Sequence, residues 1–175
     1  MSRPSLVTAR LRLDPFAGVD VDEVHALLAE PAVRRYLCDD VVMPREQVAG
    51  FVDVSDRLFE EYRAGLWCVR LSDGRRIVGL AGFFWLHDQL ELLYALLPEL
   101  WGKGLATESA REVVRFGFDL CGLEVVIAST DAPNVASVGV MERLGMRFDR
   151  REVVDGLDTL FYTLSRAAFV AKERA

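Results

Sequence analysis

Apolar residues recur along the chain at two spacings, and the changes of spacing mark its elements. Residues 6–13, LVTARLRL, alternate apolar and polar and predict one strand. Asp20 or Asp22 can cap a helix running to about Ala29. Pro31 ends that helix, and AVRRYL after it predicts a further short one. Pro44 suits the first turn of another helix reaching about Arg63, with Gly65 closing it. Three strands then follow closely. They are residues 66–71, 76–86 and 89–97, with Ser72-Asp73-Gly74 and His87-Asp88 as the turns. Such a meander is expected to be antiparallel. Gly79 and Gly82 inside the second strand mark a bulge or a close backbone approach.

Beyond residue 104 the period becomes helical. Ala106, Ala110, Val113, Val114, Gly117 and Cys121 form one apolar stripe. Glu108, Arg111, Glu112, Arg115 and Asp119 lie on the other side, spaced for pairs within a solvated face. Gly122 ends the helix, and residues 123–129 predict a buried strand. Strand, helix and strand from 89 to 129 imply a right-handed crossover and a parallel pair. A short helix over 134–144 ends at Gly145. Strands 146–154 and 157–165 flank the hairpin turn Asp155-Gly156. The tail from Arg166 predicts a charged surface helix.

Composition narrows the class. At 175 residues, with 51% hydrophobic and 27% charged positions, the chain fits one domain spanning 1–175 with a sizeable core. Its net charge of −6, with no block of Lys or Arg, argues against nucleic-acid binding and suits a cationic or amine-bearing partner. Cys38, Cys68 and Cys121 are scattered, which argues against a disulfide framework or a metal site and fits a reducing, cytoplasmic setting. No apolar run reaches the ~18–20 residues of a membrane span.

The chemistry concentrates in LPELWGKGLATE, residues 97–108. A strand, a glycine-rich turn and a helix start together favour a phosphate-bearing ligand held by main-chain N–H groups. Many such turns bind nothing. Lys103 stands before the second glycine, so a nucleotide P-loop is not spelled. A dinucleotide fingerprint is weakened by Thr107 at its third small position, although Glu124 lies at the right distance.

Two segments, LLPELWGKGLATESA and DAPNVASVGVMERLGMRF, resemble the GCN5-related N-acetyltransferases (GNAT) and, within them, the RimJ/RimL-like branch. The family loop Gln/Arg-x-x-Gly-x-Gly/Ala reads here Trp101-Gly102-Lys103-Gly104-Leu105-Ala106, with Trp101 departing at its first position. The resemblance implies an α/β (α+β) fold: a mixed, mostly antiparallel twisted sheet, helices on both faces, and a splayed parallel strand pair. It implies acetyl-coenzyme A as co-substrate, its pyrophosphate on the N–H groups of Gly102, Lys103, Gly104, Leu105, Ala106 and Thr107. Tyr94, Ala95 and Leu96 would hold the pantetheine arm. Asn134 is a helix cap, a cofactor contact, or both.

The family's usual tyrosine, seven residues after that asparagine, is Met141 here, which cannot donate a proton. The branch pattern Asn-x-x-Ser offers Ser137 instead, as a hydrogen bond to sulfur or as a helix first-turn serine. Glu91 matches the branch's Glu-Ile/Leu-x-Tyr strand. It is either the base that takes the amine proton, directly or through a water, or a solvent-facing strand residue. His87 is read as an exposed turn residue and His25 as a helix residue. Phe83 and Trp85 share one strand face and Phe84 the other; most of this run is expected to be core, and either face could line the acceptor cleft.

The expected activity is acetyl transfer from acetyl-coenzyme A to a primary amine, a protein N-terminal α-amine or a small molecule, by direct attack in a ternary complex. A non-catalytic acetyl-coenzyme A-binding module and an aminoglycoside-type acetyltransferase are the alternatives. No metal is expected. Two subunits could pair through the later strands.

Overall fold

The computed structural model describes residues 3–174. β1 (Leu6–Val7) and β2 (Leu11–Pro15) lead into a 3-10 turn at Gly18–Asp20 and helices α1 (Val21–Ala29), α2 (Pro31–Leu37) and α3 (Arg45–Tyr62). The meander is β3 (Leu66–Leu71), β4 (Gly79–Leu86) and β5 (Gln89–Leu96). A 3-10 turn at Pro98–Leu100 precedes α4 (Leu105–Asp119), followed by β6 (Val125–Asp131) and α5 (Val135–Leu144). The hairpin β7 (Arg147–Val154) and β8 (Leu157–Ser165) and helix α6 (Arg166–Glu173) complete the order.

Eight strands form one sheet in the order β1-β2-β3-β4-β5-β6-β8-β7. The neighbouring strands pair antiparallel except β5 and β6, which run parallel. Helices cover both faces. On β4, Phe83 meets α4, where a Cβ on Gly117 would sit 2.8 Å from its ring. The next residue, Phe84, points the other way and packs edge-on against Phe51 of α3, with ring centroids 5.5 Å apart. The fold class expected from the sequence is therefore the one observed.

Several boundaries differ, each for a physical reason. The single strand expected over 6–13 is a hairpin: the N–H of Thr8 donates to the Leu11 carbonyl (2.9 Å), and the Thr8 hydroxyl accepts from the Leu11 N–H (3.0 Å). Helix α3 is closed by Arg63 in the left-handed conformation (φ 60°), not by Gly65. Gly65 serves packing instead, since an added Cβ would lie 2.5 Å from the Phe59 ring. β4 begins at Gly79 rather than residue 76, because the Ile77 N–H is drawn off to the Glu23 carboxylate of α1 (2.9 Å). β6 begins at Val125 rather than 123, since the carbonyls of Leu123 and Glu124 turn back to Arg166.

Gly79 and Gly82 mark close approaches, as their place inside a strand implies. A Cβ on Gly79 would fall 2.2 Å from the Ala95 carbonyl oxygen of β5. One on Gly82 would fall 2.2 Å from the Gly65 carbonyl oxygen. No side chain larger than hydrogen fits at either place without moving a neighbouring strand.

Candidate active site

The start of α4 is built to leave its amides free. Gly102 (φ 73°) and Gly104 (φ 75°) take left-handed conformations that favour glycine, and an added Cβ on Gly102 would meet nothing within 4 Å. No side chain caps the helix, and its first chain-internal bond runs from the Glu108 N–H to the Gly104 carbonyl. Among the described residues, the N–H groups of residues 102–107 have no partner within the chain. Six consecutive donors at the positive end of a 15-residue helix suit an oligophosphate.

Glu108 is the clamp that keeps this turn in place, a role hidden by its spacing. It accepts hydrogen bonds from the Thr8 hydroxyl (2.6 Å), the Arg10 N–H (3.0 Å) and the Arg10 Nε (2.7 Å). Arg10 also donates to the Lys103 carbonyl at 3.0 Å. Burial alone would raise the Glu108 carboxyl, but these donors together hold it below the usual carboxylate range. The charges of α4 thus do more than pair along a solvated face: Glu108 reaches β1–β2, and Arg111 and Arg115 reach Glu173 of α6.

Beside this turn a cleft of about 800 Å³ opens between β5 and β6. The two strands are bridged at Glu91 and Ile127 and then part. Past the bridge, the Leu97 N–H bonds the Val78 carbonyl on the β4 side. Alternation therefore turns the main-chain groups of Tyr94 and Leu96 toward the cleft and those of Ala95 toward β4. The Leu96 carbonyl is taken by the Trp101 indole at 2.7 Å. Of the three residues expected to hold a pantetheine arm, Tyr94 offers its main chain, Leu96 its N–H, and Ala95 only its side chain. Lys103 is absent from the cleft lining, while Gly102 and residues 104–107 belong to it.

Glu91 is fully buried, which excludes a solvent-facing strand residue. Its Oε1 accepts from Gln89 Nε2 (2.9 Å) and lies 3.0 Å from His87 Nδ1, while its Oε2 accepts from the Ser129 hydroxyl. Burial of a carboxylate is tolerated when donors surround it in this way. The expectation for His87 also changes. It does sit in the turn, at φ 47° beside Asp88 at φ 58°, but its ring folds back over Glu91 and borders the cleft. Asp131, at the end of β6, lines the same side. Burial first and Asp39 second push its carboxyl up, against the opposing influence of His87.

At the opposite wall, Asn134 caps α5: its Oδ1 accepts from the Ser137 N–H (3.3 Å), and its Nδ2 donates to Thr130 Oγ1 (3.0 Å). Ser137 lies in the first turn of α5 with its hydroxyl 2.8 Å from the Tyr94 hydroxyl, which also donates to the Ser137 carbonyl at 3.0 Å. Burial pushes the Tyr94 phenol up to about 12, more than the Ser137 contact lowers it. Met141 is wholly buried in the core.

The aromatic run contributes nothing to the cleft lining. Phe83 is core, Phe84 packs on α3, and the half-exposed Trp85 stacks on Tyr62 at 6.0 Å. His25 ties α1 to the Met43 carbonyl at 3.0 Å. Cys38, Cys68 and Cys121 are free thiols, and the described residues hold no cluster suited to a metal. Among them, no helix is long and apolar enough to cross a membrane. Sequence patterning missed His87 and Ser129 as neighbours of Glu91, and Asp131 as a neighbour of His87, because they come together only through the β4–β5 turn and the β5–β6 bridge.

Comparison with known proteins agrees with this geometry. Residues 10–147 match the family model of the acetyltransferase (GNAT) domain. The chain is 29% identical over 147 residues to an uncharacterized N-acetyltransferase, YoaA, of Bacillus subtilis (strain 168), covering 82% of this chain and 83% of that one. It is 27% identical over 144 residues to a spermidine N(1)-acetyltransferase of Escherichia coli (strain K12), covering 81% and 74%. Its fold matches RimL, a ribosomal L7/L12 α-N-protein acetyltransferase solved with coenzyme A, at a TM-score of 0.77 with 18% identity, covering 93% and 98%. The match over most of the length, on a sheet that splays beside an uncapped helix start, places this chain in the GNAT acetyltransferase family.

Proposed function

We propose that the protein transfers an acetyl group from acetyl-coenzyme A to a primary amine by direct attack in a ternary complex. The observation that carries this reading is the unpartnered run of N–H groups over residues 102–107 at the mouth of the β5–β6 cleft. The residues present fit the co-substrate. The free amides suit its pyrophosphate. The Tyr94 main chain and the Leu96 N–H suit the amide-rich arm as a continuation of the sheet edge, with Asn134 on the far wall. Acetyl-coenzyme A supplies the activated acetyl group.

The chain's own residues divide the remaining work. The amine must be neutral to attack, and a free lysine-type amine has a pKa near ~10. Glu91 provides the negative charge that favours loss of that proton, and it acts through an intervening group, since the carboxylate itself has no open surface. Ser137 and the positive end of α5 stabilise charge developing on sulfur, and Tyr94 stays protonated to hold Ser137 in place. Asp39 and Asp131 on the acceptor side suit an ammonium-bearing molecule before it loses its proton. Peptide N-termini and small amines such as polyamines both meet that description.

A melting experiment with acetyl-coenzyme A, coenzyme A and NAD tests the co-substrate: a ligand at 100 times its dissociation constant adds roughly 2.7 kcal/mol. Stabilisation by both coenzyme A forms and not by NAD is expected. No stabilisation by either coenzyme A form would end the reading. Thiol release with peptides beginning in Ala or Ser, polyamines and aminoglycosides then separates acceptors, and binding without release from any of them would leave only a binding module.

A further inference from the structure

Glu91 poses a problem that the reading above leaves open. Its carboxylate is wholly buried and already receives hydrogen bonds from Gln89 and Ser129. An amine in the cleft cannot reach it without displacing something. Two groups that touch Glu91 also line the cleft, the Ser129 hydroxyl and the His87 ring, and of the two only the imidazole is a base.

The geometry around that ring is specific. Nδ1 lies 3.0 Å from Glu91 Oε1 and 3.3 Å from Ser129 Oγ. An ionised Glu91 can only accept, which puts the hydrogen-bonded proton on Nδ1. The Ser129 hydroxyl spends its own proton on Glu91 Oε2. This leaves Nε2 as the unprotonated nitrogen of the neutral imidazole. Nε2 makes no hydrogen bond among the described residues, and the ring, 30% exposed, borders the cleft. The Phe161 ring holds the imidazole edge-on at a centroid distance of 5.5 Å. A buried carboxylate thus fixes one tautomer and one orientation of an imidazole whose free lone pair meets the reaction space.

We propose that His87 is the catalytic base for acetyl transfer and that Glu91 is its positioning residue; this rests on the acetyltransferase reading of the same cleft. In the step, His87 Nε2 takes one proton from the amine nitrogen as the N–C bond forms. The C–S bond breaks and its electron pair leaves on sulfur. The imidazolium so formed is paired with the Glu91 carboxylate through Nδ1–H, and it returns its proton to solvent at its exposed edge. The groups that face His87 are Glu91 and Gln89 from β5, Ser129 and Asp131 from β6, and Phe161 from β8. The Arg150 guanidinium of β7 lies 4.0 Å from the Phe161 ring centroid, and Asp88 adjoins His87 in the turn. The carboxylates of Glu91 and Asp131 make the local field negative.

The test has two independent arms on the full-length protein. In the first, the ring nitrogens of the neutral His87 are read by 15N NMR without substrates. A proton on Nδ1 is expected; a proton on Nε2 would overturn the proposal, since that nitrogen could not then accept. In the second, His87→Ala and His87→Asn are assayed with acetyl-coenzyme A and an accepted amine. Asparagine can keep a donor to Glu91 but has no Nε2. Both variants are expected to lose about 100-fold or more in kcat while retaining the KM for acetyl-coenzyme A, and added imidazole should restore part of the rate to His87→Ala. If His87→Asn keeps the wild-type melting temperature and its kcat stays within about threefold, the base is not His87. A wild-type protein that neither binds acetyl-coenzyme A nor acetylates any amine would overturn the acetyltransferase reading and this assignment with it. Unimpaired His87 variants of an active wild type would remove this assignment alone.

Discussion

At the scale of single residues, the site rests on groups whose sequence context looked ordinary. Glu91 was legible as an isolated charge in an apolar strand, but its burial was not. The alternation of Leu90, Glu91 and Leu92 says which face a side chain takes and nothing about who waits there. Ser129 and His87 wait there, and both arrive through tertiary contacts. Ser137 was legible through its spacing from Asn134. Its partner, the Tyr94 hydroxyl, comes from a strand 43 positions earlier. The account predicts that Ser137→Ala lowers kcat about tenfold or more while the dissociation constant of acetyl-coenzyme A changes little, since the lost group acts on charge developing at sulfur. Steady-state kinetics beside calorimetric binding checks it. A weakened affinity at unchanged kcat would make Ser137 a binding residue only.

At the scale of elements, the sequence showed boundaries set by local turns more faithfully than those set by distant contacts. β3 and β8 fall where their apolar runs and turns place them, because Ser72-Asp73-Gly74 and Asp155-Gly156 are local signals. The break between β1 and β2 is closed locally by Thr8 and Leu11 but is not held by local contacts alone. It is secured by Glu108, 98 and 100 positions away, which receives Arg10 and Thr8. The same carboxylate anchors the loop before α4 through Arg10 and the Lys103 carbonyl. Glu108→Ala is therefore expected to destabilise the protein by about 1–3 kcal/mol, since it leaves the Arg10 main-chain and Thr8 donors without their partner. It should also weaken acetyl-coenzyme A binding, although Glu108 itself does not line the cleft. Urea unfolding and calorimetry read the two effects. A variant as stable as wild type, with the same affinity, would show that the clamp is not needed.

At the scale of the whole molecule, one sheet carries both walls of the cleft, and its single parallel neighbour pair is where they part. Burial on this scale has a pH consequence. It raises the Cys38 and Cys121 thiols from 9.0 to about 11, raises the Cys68 thiol further, and raises the Tyr94 phenol to about 12. Each raised group holds its proton in the folded state after the unfolded chain has released it. The stability these four groups contribute is therefore full below about pH 9 and is lost as pH rises through 9 to 12. Urea midpoints across pH 8 to 11 should decline from about pH 9, and a flat profile would contradict this burial pattern.

The central claim is that an anionic diphosphate lodges on the uncapped amides opening α4. A 15N-resolved titration of the backbone with acetyl-coenzyme A tests it most directly. The account predicts the largest downfield amide shifts over residues 102–107. Saturable binding that leaves those amides unmoved would contradict it.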